Sequence, residues 1–304
     1  MPLANAYAAC EQLARSHYEN FPVASRLLPR TMRPHVAALY AFARVADDIA
    51  DEGAAPAAER RTQLRAWQER LHRAVAGVAG VPGVHNEPRA ADRDELILAA
   101  LAHSIRSLDL PTALFDDLVS AFGQDTTTSR YASWCDVLDY CRRSANPVGR
   151  LVLRIAGYRD EGLARSSDAL CTALQLTNFW QDFGSDWRRG RLYVPAETLQ
   201  VCGANEADLA SGRMGPAWVR AIEVCAALTR TKFDEGRAVC DGVDGRLRLE
   251  LRCTWLGGIR MLERVEQGRF ELFGRRPTLG VSDVPLLMWR GLDWRRQKGT
   301  RAVS

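Results

Sequence analysis

The stretch at residues 175–186 reads QLTNFWQDFGSD and spaces three oxygen-bearing side chains, Asn178, Asp182 and Asp186, four residues apart. On an α-helix, side chains four residues apart lie on one face, each a turn above the last. The residues around them are mainly apolar or aromatic, and a polar face in such surroundings is costly unless a partner satisfies it. The stretch therefore predicts a helix whose acidic face binds something positive, with Gln175 one turn earlier.

A second acidic cluster, DDIAD at residues 47–51, has the same spacing. It closes a predicted helix that begins at Pro34, a residue that suits a first helical turn, and ends near Glu52. Arg44 lies one turn before the middle of the cluster, and Tyr40 lies one turn before Arg44. We therefore expect a fold in which the two acidic helix faces lie opposite each other.

The composition is that of an ordinary globular protein. The chain has 304 residues, of which 47% are hydrophobic and 26% charged, with a formal net charge of +4. This length allows one large domain or two average ones. The charge is too weak to indicate nucleic-acid binding, but it suits an anionic substrate or a membrane surface.

The sequence also indicates where the protein works. We see no signal peptide, and no apolar run approaches the roughly 20 residues of a membrane-spanning helix. The eight cysteines have no CxxC spacing and are typical of reduced core residues. We expect a cytoplasmic protein, soluble or at most peripheral at the inner face of the cell membrane.

Helical periodicity dominates the chain, and alternating strand patterns are nearly absent. It predicts one all-α domain over residues 1–304, with nine or ten helices and no internal repeat. The predicted helices cover residues 4–18, 34–52, 57–75, 94–108, 111–123, 133–156, 161–187, 217–241, 247–268 and 283–297. Gly, Pro and polar residues predict irregular structure at 77–92 and 188–216.

The two acidic clusters indicate a particular metal. Oxygen ligands without histidine or thiolate favour magnesium or manganese over zinc. Magnesium accepts few carboxylates and completes its shell with water and phosphate oxygens, so two such helices suit a diphosphate. Arg44 and the RRGR run at 188–191 could neutralise the remaining phosphate charge. One such cluster is more often a solvated helix face, but apolar neighbours flank both clusters, which favours metal binding.

These motifs resemble a known family. The segments YAFARVADDIAD at 40–51 and NFWQDFGSD at 178–186 resemble the aspartate-rich motifs of the squalene/phytoene synthases, and RLYVP at 191–195 resembles the segment after the second motif. The likeness runs from about His17 to about Arg276. It implies the isoprenoid synthase fold, with helices around a central cavity, prenyl diphosphate substrates and three magnesium ions.

The resemblance also implies roles for single residues. The metal ligands that it implies are Asp47, Asp51, Asn178, Asp182 and Asp186. The residues that it places beside the diphosphate are Tyr40, Arg44, Gln175 and Arg191, and Tyr40 and Arg44 would take part in catalysis.

Two further segments, HYENFPVAS at 17–25 and YCRRSANPVG at 140–149, resemble the hopanoid-pathway branch of the family, the hydroxysqualene synthases. Members that condense two prenyl diphosphates have a serine-rich first segment, a tyrosine with small residues in the second, and often a tyrosine in place of Phe270. The resemblance therefore implies that presqualene diphosphate ionises and that water captures the rearranged cation, giving hydroxysqualene. It singles out Asn146 for catalysis and His17, Phe21, Arg142 and Ser144 for substrate binding. The candidates to position the water are Asn146, Ser144 and Arg142.

No reductant is expected, because no strand followed by GxGxxG is present to bind a nicotinamide cofactor such as NADPH. A second reaction stays open, the head-to-head condensation of two farnesyl or geranylgeranyl diphosphates to presqualene diphosphate, squalene or phytoene. A non-catalytic scaffold is disfavoured, since it would not need buried carboxylates. Other enzymes of squalene synthesis are expected partners.

Two apolar features have alternative interpretations. The segment LLMWRGLDWRRQK at 286–298 suits a membrane interface, but we favour a packed terminal helix with a basic tail, within a peripheral stretch at 283–304. Aromatic residues near the motifs could form a wall around a carbocation or could simply be core. They are Phe21, Phe42, Phe179, Trp180 and Phe183.

Overall fold

The computed structural model describes residues 3–16, 27–77, 93–212 and 214–294, and in these ranges the regular structure is helical, with no strand. The all-α prediction is confirmed. None of the described helices is long and apolar enough to cross a membrane. All eight cysteines fall in the described ranges, and none of them forms a disulfide.

The chain divides into two compact units. One consists of Met1–Thr128 and Arg142–Ala164, and the other of Ser129–Cys141 and Arg165–Ser304. Each unit has its own buried apolar residues. The prediction of one domain over residues 1–304 stays a prediction.

Helix α2, Arg33–Asp51, is the centre of the first unit. It packs against α1 (Leu3–Ser16), α3 (Ala57–Val75), α4 (Arg93–Leu108), α5 (Thr112–Asp125) and α7 (Asn146–Ile155). Its buried side carries Phe42, which stacks on Trp67 and meets Phe115 edge to face. The acidic cluster is therefore held on a helix that is surrounded by others.

The second unit contains the other helices in whole or in part. They are α6 (Trp134–Ser144), α8 (Glu161–Gln181), α9 (Phe183–Arg188), α10 (Ala196–Cys202), α11 (Glu206–Ala210), α12 (Pro216–Gly236), α13 (Val239–Gly242), α14 (Gly245–Gln267) and α15 (Val284–Leu292). Helix α12 packs against α10 and α14, and α14 packs against α13 and α15. Trp180 is fully buried on α8, and its indole N–H donates to Thr229 Oγ1 at 2.8 Å.

Several predicted boundaries are wrong. The predicted helix at 133–156 is two helices, α6 and α7, which part at Ala145 because Pro147 has no N–H to continue the ladder. The predicted helix at 161–187 breaks at Asp182, and that at 217–241 is divided into α12 and α13. The stretch at 188–216 holds α10 and α11, which are too short to show a periodic pattern.

Candidate active site

On α2, a stripe of partly accessible side chains runs along an otherwise buried helix. The stripe contains Tyr40, Arg44, Asp47, Asp48 and Asp51. These positions recur every three or four residues, as one face of a helix requires. The polar face predicted from the spacing is therefore the accessible face of the helix.

Arg44 pairs with two carboxylates of this stripe and with the nearby Glu52. Its Nη1 lies 3.2 Å from Asp47 Oδ2, and its Nη2 lies 2.6 Å from Asp48 Oδ1 and 3.1 Å from Glu52 Oε1. Its Nε is buried and makes no hydrogen bond within the described residues. One guanidinium among three carboxylates, with Asp51 beside them, leaves the stripe net negative, which favours a bound cation.

Tyr40 lies at the upstream end of the stripe. Burial is the largest influence on the pKa of its hydroxyl and raises it. Arg44 lowers this pKa, whereas Asp47 and Asp48 raise it, and the net effect is a raised pKa. The hydroxyl therefore keeps its proton at neutral pH and can donate a hydrogen bond to an anion.

A second stripe lies on α8 and α9. Gln175, Asn178, Asp182 and Asp186 are partly accessible, whereas most of the residues between them are buried. The helix breaks at Asp182, where φ is −92° and ψ is 7°. Even so, the Asp182 N–H donates to Asn178 O at 2.8 Å, and the Asp186 N–H donates to Asp182 O at 2.9 Å. Because these bonds continue across the break, the predicted ligands still follow one another turn by turn.

A segment that we name the strap, residues 272–277, lies against the Asp182 turn. The Arg276 guanidinium pairs with the Asp182 carboxylate, with a close contact through Nε and one of 3.4 Å from Nη2 to Oδ2. Gln181 Nε2 donates to Pro277 O at 2.9 Å, and Arg188 Nη1 donates to Phe273 O at 3.3 Å. The strap thus supplies a positive charge to the central acid of the second motif.

Gly184 allows the strap to come this close. A Cβ at this position would lie 2.9 Å from Leu272 O and closer still to Phe273 O, both of them backbone atoms. Any larger residue would push the strap away from the turn.

Arg191 returns to the second motif through a tight turn. Gly190 has a φ of 80°, and the Arg191 N–H donates to Asp186 O at 2.8 Å. The next residue, Leu192, donates to Ser129 O at 2.9 Å. The backbone of Arg191 is therefore fixed beside Asp186.

Four aromatic rings pack together in the same unit. Phe179 stacks on Tyr193 with 3.7 Å between ring centroids, and Tyr131 and Tyr140 lie 5.6 and 6.2 Å from Tyr193. Phe42, Trp180 and Phe183 are buried against other rings, as core residues are. The three tyrosines were missed in the sequence, although Tyr140 and Tyr193 lie in segments that carry the family resemblance.

The break between α6 and α7 carries the residues expected to position water. Ser144 ends α6, and its hydroxyl is buried without a hydrogen-bond partner in the described part of the chain. Asn146 opens α7 and is partly accessible. The Arg142 side chain is 56% exposed and lies 3.8 Å from Asp117 Oδ1, so it belongs to the surface.

Two other predictions about the site stay predictions. His17 and Phe21 lie outside the described residues. The two acidic motifs belong to different units, so the prediction that they face each other across a central cavity stays a prediction.

The donor set of the motifs fits magnesium better than zinc. The described residues contain no group of three or more His, Cys, Asp or Glu side chains that could hold an ion by themselves. The motifs instead offer carboxylate and amide oxygens, a few at a time. Magnesium keeps several positions for water and phosphate oxygens, so an incomplete oxygen shell suits it. A structural zinc site would need a closed set of nitrogen or sulfur ligands.

Comparison with known proteins agrees with these features. The family model described as squalene/phytoene synthase matches residues 14–283. A hydroxysqualene synthase of Zymomonas mobilis is 36% identical over 77% of this chain and 74% of its own length. A 15-cis-phytoene synthase of Synechococcus elongatus is 27% identical over 95% of this chain and 94% of its own. The crystal structure of squalene synthase HpnC from Alicyclobacillus acidocaldarius superposes with a TM-score of 0.78 and 38% identity, covering 91% of this chain and 97% of that one.

Proposed function

The chain belongs to the squalene/phytoene synthase family, and we propose that it converts presqualene diphosphate and water into hydroxysqualene and diphosphate. It is thus an isoprenoid diphosphate-processing enzyme of a family that is generally dependent on magnesium. The observation that carries the proposal is the second stripe, where Asn178, Asp182 and Asp186 follow one another turn by turn along α8 and α9, among mostly buried neighbours. Similarity to hydroxysqualene synthases selects the reaction within the family.

The reaction begins with departure of the diphosphate. The carbon–oxygen bond breaks and its electron pair stays with the diphosphate. In this proposal Asp47, Asp51, Asn178, Asp182 and Asp186 would hold magnesium, three ions in all, which would supply positive charge to stabilise the leaving group.

Other side chains of the two stripes hold the leaving group. Arg44 and Arg191 bring guanidinium groups that bind phosphate oxygens in pairs. Tyr40 and Gln175 add neutral donors, and the raised pKa of Tyr40 keeps its proton in place. His17 and Phe21 belong to the substrate site in this proposal, and Arg142 acts from its edge.

The cation then rearranges and is captured by water. The water oxygen forms the new carbon–oxygen bond and loses one proton, so the products are an alcohol and diphosphate. The buried Ser144 hydroxyl, which has no partner within the described residues, supports a role in holding that water together with Asn146. A buried hydroxyl is normally hydrogen-bonded, and an ordered water is a usual partner.

No step of this reaction transfers a hydride, so no nicotinamide cofactor is required. The protein would work in the cytoplasm, in peripheral contact with the membrane and with other enzymes of squalene synthesis. It would not act on nucleic acid.

A condensing activity is the second candidate. It is favoured by similarity to a phytoene synthase over nearly the whole chain. In that reaction two farnesyl or geranylgeranyl diphosphates join head to head, and the same two stripes would hold the diphosphates.

One assay separates the candidates. The purified protein is incubated with magnesium and either presqualene diphosphate or farnesyl diphosphate, without NADPH, and the products are identified by mass spectrometry. We expect presqualene diphosphate to be consumed and farnesyl diphosphate alone to remain. Conversion of farnesyl diphosphate alone into presqualene diphosphate would assign the condensing reaction instead.

A further inference from the structure

Helix α15 has an apolar side that faces solvent. Its accessible residues include Val284, Met288, Trp289 and Leu292, which are 46, 67, 61 and 89% exposed. With the neighbouring Pro285, they occupy one continuous face at helical spacing, and no charged residue interrupts that face. A surface helix of a soluble protein usually turns its polar side to solvent, whereas α15 turns its apolar side to solvent.

Buried groups at both ends hold α15 in this orientation. At its start, Asp283 is 1% exposed and accepts from Arg260 Nε at 2.7 Å and from Arg264 Nη2 at 2.9 Å. After its end, Trp294 is 2% exposed and donates to Asp241 Oδ1 at 2.9 Å, with the Arg237 guanidinium 4.0 Å from its ring centroid.

The charged residue in the last turn of the helix also points inward. Arg290 Nη1 donates to Glu263 Oε1 on α14 at 2.7 Å. Rolling the helix to bury its apolar face would break this pair and would expose Trp294 or Asp283. The apolar face therefore cannot turn into the core, although the helix itself packs on α14 through its other side.

We propose that the apolar face of α15 docks on an anionic lipid surface. The chemistry of a membrane interface fits both parts of the segment. Exposed Val, Met and Leu side chains bury into the acyl boundary, and Trp is the side chain most typical of that depth. The next ten residues of the sequence include Arg295, Arg296, Lys298 and Arg301 and no acidic residue, which complements negatively charged headgroups.

A second protein copy fits this face less well. A stable protein interface takes roughly 20–30 residues from each partner. The face on α15 consists of five residues on a helix of nine, from Val284 to Leu292. A lipid surface needs no such area, because a few apolar side chains and several positive charges together give reversible binding.

This docking is independent of the proposed reaction. Binding would be measured without substrate, by sedimenting the full chain with vesicles of phosphatidylcholine alone or with a third of phosphatidylglycerol. We expect binding to the anionic vesicles that weakens as salt rises, since the electrostatic part is screened.

Two matched variants test the surface. Met288→Glu with Leu292→Glu places two charges on the apolar face of α15. Val201→Glu with Val224→Glu places the same charges at two other exposed valines, which are 86 and 44% exposed. We expect the first variant to bind anionic vesicles at least about tenfold more weakly, because two apolar groups are lost from the interface. The second should bind within about twofold of the unchanged protein.

Helical circular dichroism and the thermal midpoint are compared first, and both variants should match the unchanged protein. Equal vesicle binding by the α15 variant would overturn the proposal. So would an equal loss in the valine variant, because the effect would then be one of net charge. Dimerisation of the unchanged chain in sedimentation velocity, abolished by Met288→Glu with Leu292→Glu, would show that a second copy covers the face instead.

Discussion

At the scale of single residues, Asp182 is a proposed metal ligand that already has a charged partner. Its carboxylate is paired with Arg276, a residue 94 positions away in the sequence. A cation that binds Asp182 must compete with that guanidinium. The pair with Arg276 therefore opposes metal binding at Asp182.

The first prediction concerns this pair. Arg276→Gln removes the competing charge, so we expect manganese or magnesium to bind the substrate-free protein several-fold more tightly. Isothermal titration calorimetry, or electron paramagnetic resonance of manganese, would measure the affinity. Arg275→Gln, next to it, makes the same change in net charge and should leave the metal affinity within about twofold. Weaker metal binding in Arg276→Gln would contradict a competing role for Arg276.

The second prediction separates a ligand from its neighbour. Asp51 and Glu52 are adjacent exposed acids, but Glu52 forms a salt bridge with Arg44, whereas Asp51 is a proposed metal ligand. We expect Asp51→Asn to lower kcat at least about a hundredfold and Glu52→Gln to lower it less than about tenfold, because only the first removes leaving-group stabilisation. Steady-state kinetics at saturating magnesium would show the difference, and equal losses would remove Asp51 from the proposed ligands.

The residue scale also shows what the sequence could reveal. The stripe Tyr40, Arg44, Asp47 and Asp51 was predictable, since helical spacing alone places these side chains on one face. Arg276 was not predictable from any pattern, because its partner is distant in the chain. The buried Ser144 hydroxyl lay in a segment chosen by resemblance, and its lack of a partner within the described residues became visible only in three dimensions.

At the scale of elements, the close approach of α9 and the strap depends on Gly184. Gly184→Ala sets a methyl group against the backbone at Leu272 and Phe273, so we expect a loss of about 1–3 kcal/mol in the free energy of unfolding. Gly257→Ala is the matched change, since α14 leaves open space there and alanine favours a helix. Urea unfolding would measure both, and equal stability of the two variants would contradict a tight strap.

The anchoring of α14 to α15 predicts a pH dependence. The pKa of Asp283 is lowered to about 2, by the Gly280 N–H first and then by Arg260 and Arg264. A carboxylate whose pKa is lower in the folded state stabilises the fold above its ordinary pKa of about 4, and this contribution is lost as pH falls toward about 2.

We therefore expect the free energy of unfolding to fall more steeply between about pH 4 and pH 2 in the unchanged protein than in Asp283→Asn. Asp244→Asn is the control, because that carboxylate also pairs with an arginine, at 2.6 Å, but is 82% exposed. Urea titrations at several pH values would test this, and parallel curves for the unchanged protein and Asp283→Asn would contradict it.

Elements were predicted best where they are long. Helix α3 was expected at 57–75 and is observed at Ala57–Val75, because an unbroken pattern of four or more turns is unambiguous. The break at Asp182 was missed because the backbone bonds on either side keep the helical spacing of the sequence. Helix α15 was recognised as amphipathic, but the sequence did not show that its apolar side faces solvent, because buried partners at both ends decide which side faces out.

At the scale of the whole molecule, the helical class was predictable from the periodicity along the chain, and the family from two short motifs with a fixed order and composition. The match over residues 14–283 bears this out. The prediction that water captures the cation rested on weaker signals, the resemblance of the segments at residues 17–25 and 140–149. Spacing cannot supply it, because capture by water depends on the position of one molecule in an enclosed site.

The most direct measurement of the central claim follows the oxygen atom. The protein is given magnesium and presqualene diphosphate in water enriched in oxygen-18, without NADPH, and the product is examined by mass spectrometry. We predict hydroxysqualene that carries one oxygen-18 atom, released together with diphosphate. Unchanged presqualene diphosphate, or a hydrocarbon without oxygen, would contradict the claim that this enzyme ends its reaction with water.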